Sequence, residues 1–350
     1  MSQPEQVAFS NCIDLLAESL GGRALSCSDD FFAGMENLVK PGRGVFIPGK
    51  FTENGKWMDG WESRRKRTEG NDWCVLALGV AGELRAFDID TNHFLGNHPP
   101  FAAVWGCWAP EAGRGEPSES VVWHRILEPS ALRPGSQNMF AVNSQPVTHL
   151  RLEIFPDGGV ARLRAYGIPR PLWRWGDDDA RLSGRLEEGE CDLAALRNGG
   201  KALVCSDMFF GPMHNLIAPG RARVMGEGWE TKRSRRVGHD WIILELGEEG
   251  TPSMVVMDTN HFKGNFPESA SLCGIRAPDA SVLELAQGDP GWKPLVPRTK
   301  LEVHAEHFFR KEVGDAGPCT HVKLRIWPDG GVSRLRVYGR RTASSGQTYH

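Results

Sequence analysis

The sequence has no long apolar run. No uninterrupted hydrophobic stretch approaches the roughly 18 residues that a membrane-spanning helix needs. The start, MSQPEQVAFSNCIDLLAESLGG, lacks the basic cluster and apolar segment of a secretory signal. We therefore expect a soluble, cytoplasmic protein with no membrane partner. A charge excess of either sign is also missing, because 41 Lys and Arg face 44 Asp and Glu, so nucleic acid is not an expected partner and any anion binding must be local. Neither G-x-G-x-x-G nor a P-loop occurs, so no nucleotide or redox cofactor is called for. The eight cysteines stand far apart without any C-x-x-C, in a chain large enough to fold unstapled, and read as free thiols that fill cores.

What the sequence does have is a copy of itself. DLLAESLGGRALSCSDDFFAGMENLVKPGR (Asp14 to Arg43) returns 178 positions later as DLAALRNGGKALVCSDMFFGPMHNLIAPGR (Asp192 to Arg221). The offset then shrinks from 178 to 168, where GWESRRKRTEGNDWCVLALG (Gly60 to Gly79) meets GWETKRSRRVGHDWIILELG (Gly228 to Gly247), so the first copy carries ten extra residues around FIPGKFTENGK. Further on, HLRLEIFPDGGVARLRAYG (His149 to Gly167) and HVKLRIWPDGGVSRLRVYG (His321 to Gly339) share 13 of 19 letters. A period this long is a duplicated domain rather than a solenoid unit. We place the first repeat at 1–170, a linker at 171–186, the second repeat at 187–340 and a tail at 341–350. The linker is rich in proline, glycine and acidic residues, and its Trp173 and Trp175 suggest that it packs on something.

Strand signals dominate each copy. WCVLALG and WIILELG are short apolar runs bounded by turn residues, whereas HLRLEIF and ARLRAYG alternate apolar and polar positions as half-buried strands do. PDGG predicts a hairpin joining that last pair, with glycines free for positive φ. Helix is expected only as an amphipathic piece over Cys12 to Leu20 and a shorter one opening the second copy. Many short strands and frequent turns predict an all-β chain of two tandem antiparallel jelly-roll sandwiches.

SCSDDFFAGMENL, MDGWESRRKR, FDIDTNHFLGN and FPDGGVARLRAYG, with their second copies, resemble the allantoicase (allantoate amidinohydrolase) family from about Leu15 to Gly339. The resemblance implies two galactose-binding-like jelly-roll modules and hydrolysis of allantoate to ureidoglycolate and urea in purine breakdown. Allantoate is a carboxylate whose central carbon bears two ureido groups. A site for it needs guanidinium forks for the carboxylate, amide-matching groups for the ureido arms, and a proton carrier for the departing urea.

Two segments supply these types. If WESRRKR is extended, Arg65 and Arg67 share one face, and they remain Arg in the second copy as Arg233 and Arg235. These are the candidate carboxylate ligands; the competing reading is a solvated basic edge. Glu62 and Glu230 open the same segments as candidate proton carriers. The second segment, DTNHFLGN, recurs as DTNHFKGN with every polar letter kept. It offers Asp90, His93, Asp258 and His261 as acid–base candidates and Asn92, Asn97, Asn260 and Asn265 as ureido ligands. Here too an architectural reading stands beside the catalytic one, with Asp90 and Asn92 capping the turn and His93 packed in the core.

Other residues divide less evenly. Ser28 and Asp29, with Ser206 and Asp207, are either polar site groups or, the favoured reading, a strand-to-loop corner whose Asp caps a turn; Cys27 and Cys205 look like buried thiols, and Glu36 exchanges with His214 between copies. No H-x-H, H-E-x-x-H or D-x-H-x-D cluster occurs, so a divalent metal stays open with no ligand assigned. Trp57, Trp105 and Trp108 lie among few charges, which leads us to expect a homo-oligomer. Two rival readings remain: an enzyme acting on ureidoglycolate, and a non-catalytic tandem jelly-roll binding protein.

Overall fold

The computed structural model describes residues 12–170, 172, 184–235, 237–287 and 291–342. Chain contacts divide it into two compact units, Met1–Arg170 and Pro171–His350. Most of the expected linker, including Trp173 and Trp175, lies outside the described residues.

In the first unit the 19-residue strand Asp72–Asp90 is the organising element. Its opening half pairs antiparallel with Pro146–Phe155 on one side and Arg23–Cys27 on the other. Its closing half pairs with Gln137–Ala141 and with Arg162–Pro169. One strand thus serves both layers of the sandwich. The first layer continues through Phe101–Cys107 to His124–Ala131, and the second ends on Ile13–Asp14. Leu76, Phe87, Ile89, Leu152, Ile154 and Leu163 are fully buried in this core. Along Pro146–Phe155 burial alternates from Leu150 to Phe155 as the letters do, since successive side chains leave a strand on opposite faces.

The second unit repeats this plan around Asp240–Asp258, with Cys319–Trp327 and Lys201–Cys205 on its first half and Glu306–Phe309 and Arg334–Arg341 on its second. Among the described residues the only α-helix is the short Val282–Gln287.

Three expectations need correcting. Cys12 to Leu20 is not an amphipathic helix: Ile13–Asp14 is a strand, and only Glu18–Leu20 makes a 3-10 turn. The Asp14 carboxylate accepts the N–H groups of Leu16 (3.2 Å) and Ala165 (3.0 Å), tying the segment to a neighbouring strand and competing with a helical ladder. Asp192 does the same for Ala194 (3.1 Å) and Val337 (3.0 Å), so the second copy also opens on a strand, Cys191–Asp192, and a 3-10 turn. PDGG, secondly, does not make a hairpin. Pro146–Phe155 and Arg162–Pro169 each pair with a different half of Asp72–Asp90, because the chain leaving the turn is captured by Trp61–Glu62, which pairs with Gly159–Val160. Thirdly, Cys27 and Cys205 are half-buried rather than buried, although all eight cysteines are free. Burial, with Asp30 nearby, still pushes the Cys27 thiol up to about 11, which disfavours a thiolate there.

Candidate active site

The capture of the PDGG turn brings two distant motifs together. Phe94, in the middle of DTNHFLGN, is fully buried, and a Cβ on Gly159 would lie 2.0 Å from its ring. The Gly159 N–H donates to the Asn97 carbonyl at 2.8 Å. Gly158 sits at φ +135° with its α-carbon facing the same carbonyl, a place where a side chain has neither room nor a relaxed backbone. The loop end is thereby set against Trp61–Glu62. There Asn97 Nδ2 donates to Glu62 Oε1 at 2.7 Å, and in the second unit Asn265 Nδ2 donates to Glu230 Oε1 at 2.5 Å. Burial raises the Glu62 carboxyl above its ordinary pKa, partly offset by the Asn97 bond.

The basic segments follow these glutamates along the chain. Arg64 and Lys66 are tied down, Arg64 by Asp29 (Nε to Oδ2, 2.7 Å) and Lys66 by Asp72 (Nζ to Oδ1, 2.7 Å). Between them Arg65, and beyond them Arg67, are exposed and make no ion pair or hydrogen bond among the described residues; the same holds for Arg233 and Arg235. In the second unit a cavity of about 750 Å³ is lined by Glu230, Arg233 and Asn265 together with Phe210, Lys300 and Asp329.

The first half of the repeated loop is differently engaged. Asp90 is buried, and its two oxygens accept Nε and an amino nitrogen of Arg43, both at 2.8 Å, while Oδ1 also takes the Asn92 N–H at 2.9 Å. Asn92 Nδ2 donates to the Gly44 carbonyl at 2.7 Å. Asp258, Arg221, Asn260 and Ala222 reproduce the arrangement, with Arg221 Nε 2.9 Å from Asp258 Oδ2 and Asn260 Nδ2 3.0 Å from the Ala222 carbonyl. His93 and His261 stand at φ 68° and 70°, and with His304 are the only non-glycine residues at positive φ among the described residues. His93 is exposed beside the Phe46 ring, whereas His261 is half-buried with Nε2 donating to the Ala222 carbonyl at 3.0 Å. Of the exchanged pair, Glu36 is exposed and His214 is half-buried, with its pKa lowered by burial.

The structure therefore joins Glu62 to Asn97 and Glu230 to Asn265 with Arg233, and engages Asp90, Asn92, Asp258 and Asn260 with the Arg43 and Arg221 segments. Sequence reasoning passed over Arg43, Arg221, Phe210, Lys300, Asp157 and Asp329. The one signal for the arginines and for the PDGG aspartates was their identity in both copies. No cluster of three or more His, Cys, Asp or Glu placed to hold a metal occurs among the described residues.

The duplicated jelly roll thus carries a carboxylate–carboxamide pair in each repeat, with the Arg233 guanidinium lining the same cavity in the second, a donor and acceptor set that matches small anionic, amide-bearing ligands. The allantoicase repeat model matches residues 13–170 and 191–342. Probable allantoicases from Pseudomonas paraeruginosa (45% identical, 96% of this chain and 98% of theirs) and Pseudomonas fluorescens (46%, 95% and 98%) align along nearly their full lengths. The crystal structure of the Saccharomyces cerevisiae allantoicase superposes with a TM-score of 0.74 at 33% identity, covering 97% of this chain and 98% of that one. The chain belongs to the allantoicase family.

Proposed function

We propose that the protein hydrolyses allantoate to ureidoglycolate and urea. In this reaction water replaces one ureido group at the central carbon: a C–N bond breaks, a C–O bond forms, and one water proton ends on the departing nitrogen. Family membership supports the reaction. The observation that carries its location is the Glu–Asn pair beside an unpaired arginine, Glu230, Asn265 and Arg233 lining one cavity in the second unit.

In this reading Arg65 and Arg67, or Arg233 and Arg235, hold the substrate carboxylate, because a guanidinium fork makes two parallel charge-assisted bonds to it. Asn97 or Asn265 keeps one face of its carboxamide on the glutamate and offers the oxygen to a ureido N–H. Glu62 or Glu230 gives a proton to the departing nitrogen and takes one from the attacking water. The raised pKa of Glu62 suits the donor role, since a carboxyl shifted toward neutrality holds its proton longer. Asp90, Asn92, Asp258 and Asn260 are assigned to loop architecture, their polar groups being spent on Arg43, Arg221 and backbone. His93 and His261 shape the loop at positive φ, a conformation histidine tolerates better than most residues.

A homo-oligomer in the cytoplasm completes the proposal. The assembly is supported by exposed apolar side chains on the ten-residue insertion, Phe46, Ile47 and Phe51 (69% exposed), together with Trp108. The test of substrate is parallel assay of urea release from allantoate and from ureidoglycolate. Faster release from allantoate is expected, and release from ureidoglycolate alone would replace this reading with the other enzyme of similar chemistry.

A further inference from the structure

One free arginine of each unit, Arg65 in the first and Arg233 in the second, sits in a segment that is not a regular strand, yet its backbone is held on both sides. Trp61–Glu62 ends the paired region. Ser63 N–H then donates to the Gly158 carbonyl at 3.2 Å, and Arg64 N–H goes to Asp29 Oδ1 at 2.8 Å. Lys66 N–H goes to Asp157 Oδ2 at 2.8 Å. The residue between the two carboxylate-bound amides is Arg65. The second unit repeats this: Lys232 N–H donates to Asp207 Oδ1 at 2.7 Å, and Ser234 N–H to Asp329 Oδ2 at 2.7 Å, with Arg233 between them. The side chains at 64, 66, 232 and 234 differ between copies, but the backbone bonds and the enclosed arginine do not.

Each carboxylate comes from a different part of the fold. Asp29 and Asp207 follow the strands Arg23–Cys27 and Lys201–Cys205, and they are anchored in turn by the N–H groups of Phe31 (3.2 Å) and Phe209 (3.0 Å). Asp157 and Asp329 belong to the PDGG turns. An ordinary β-ladder would satisfy the same amides but would lay a neighbouring strand along the segment. Two side-chain acceptors fix the backbone and leave that edge open for the arginine to reach a ligand. Asp329 and Arg233 indeed line the same cavity.

We propose that Asp29 with Asp157, and Asp207 with Asp329, are positioning residues that bracket Arg65 and Arg233 and hold each guanidinium in place for the substrate carboxylate. This rests on the reading that those arginines bind the carboxylate. Holding a fork in register matters because a displacement of about 1 Å at a positioning group can cost on the order of 100-fold.

The experiment compares KM and kcat for allantoate in Arg65→Ala, Arg233→Ala, Asp157→Ala and Asp329→Ala, with Asp157→Asn and Asp329→Asn alongside. In the copy whose arginine truncation raises KM, the aspartate truncation is expected to raise KM on the order of 10- to 100-fold with a smaller change in kcat. The Asn variant, which keeps an oxygen acceptor, should restore most of it. The Arg-and-Asp double variant should be no worse than the Arg variant alone, because a guanidinium that is absent cannot be misplaced. If an alanine variant does not fold, Asp157→Glu and Asp329→Glu, which move the acceptor by one methylene, should raise KM in the same way. An arginine variant that raises KM while its aspartate partners leave KM unchanged, or add to the double variant in full, overturns the bracket. Arginine variants that leave KM unchanged overturn the carboxylate assignment beneath it, and the bracket with it.

Discussion

Glu62 is where burial and chemistry pull against each other. Its folded pKa is raised, so between the unfolded and folded values the native state holds the extra proton, and stability falls as pH rises through that window. Removing the charge should therefore help the fold and harm the reaction. Glu62→Gln keeps an oxygen for Asn97 and is expected to melt no lower than wild type at neutral pH. If this copy is the active one, its turnover should fall on the order of 10²- to 10⁴-fold, the usual worth of a general acid or base. Calorimetry and urea release on the same sample check both halves. His93→Asn makes the opposite test. Asparagine tolerates the left-handed backbone, and the His93 side chain lies beside the Phe46 ring with no hydrogen bond or ion pair among the described residues, so turnover within a few-fold of wild type is expected. A loss on the order of 100-fold in kcat with unchanged melting would return the proton-carrier role to the histidine.

At the scale of elements, the site depends on a turn that carries no catalytic side chain. Gly159 and Gly331 let Phe94 and Phe262 pass beneath the backbone, with a Cβ on either glycine lying 2.0 Å or 1.9 Å from the ring. Gly331→Ala should cost about 1–3 kcal/mol, as overpacking of a close-packed core does, and should loosen the Asn265–Glu230 contact along with it. Denaturant unfolding and KM on the same variant read the two effects. Glu190 acts at the entry to the second unit. Burial alone would raise its pKa, but Arg310 (3.0 and 2.8 Å), Ser253 and the Glu187 N–H hold it at about 2. A depressed acid stabilises the fold above its unfolded pKa and loses that contribution as pH falls toward 2. Acid titration of Glu190→Gln should accordingly show a shallower loss of stability between pH 5 and 2 than wild type, because the variant takes up roughly one proton fewer on unfolding. Strand letters such as HLRLEIF were legible because burial of alternate residues is a local matter. The PDGG hairpin was misread for the complementary reason: which strand captures Gly159–Val160 is decided by Trp61–Glu62, nearly a hundred residues away. Asp14 and Asp192 likewise defeat a helical pattern through bonds to Ala165 and Val337, partners that no window along the sequence contains.

For the whole molecule, duplication made the fold readable and the site ambiguous. Seven of eight letters shared between DTNHFLGN and DTNHFKGN located a common loop, but identity between copies does not separate the Asp90–Arg43 clamp from the Asn97–Glu62 pair. Only the side-chain partners do that. The copies also differ in ways that bear on function, since the first carries the insertion with exposed Phe51 and the second places His304 at positive φ where the first has Gly135. Static light scattering addresses the proposed assembly; a species at a multiple of 38.7 kDa is expected, and a monomer alone would refute it. The most direct test of the account is the rate of urea release from allantoate by the purified chain and by its Glu62→Gln/Glu230→Gln double variant. Steady release by the wild type and a fall on the order of 10²- to 10⁴-fold in a folded double variant is the predicted result. A folded wild type that releases no urea, or a double variant as fast as its parent, would contradict it.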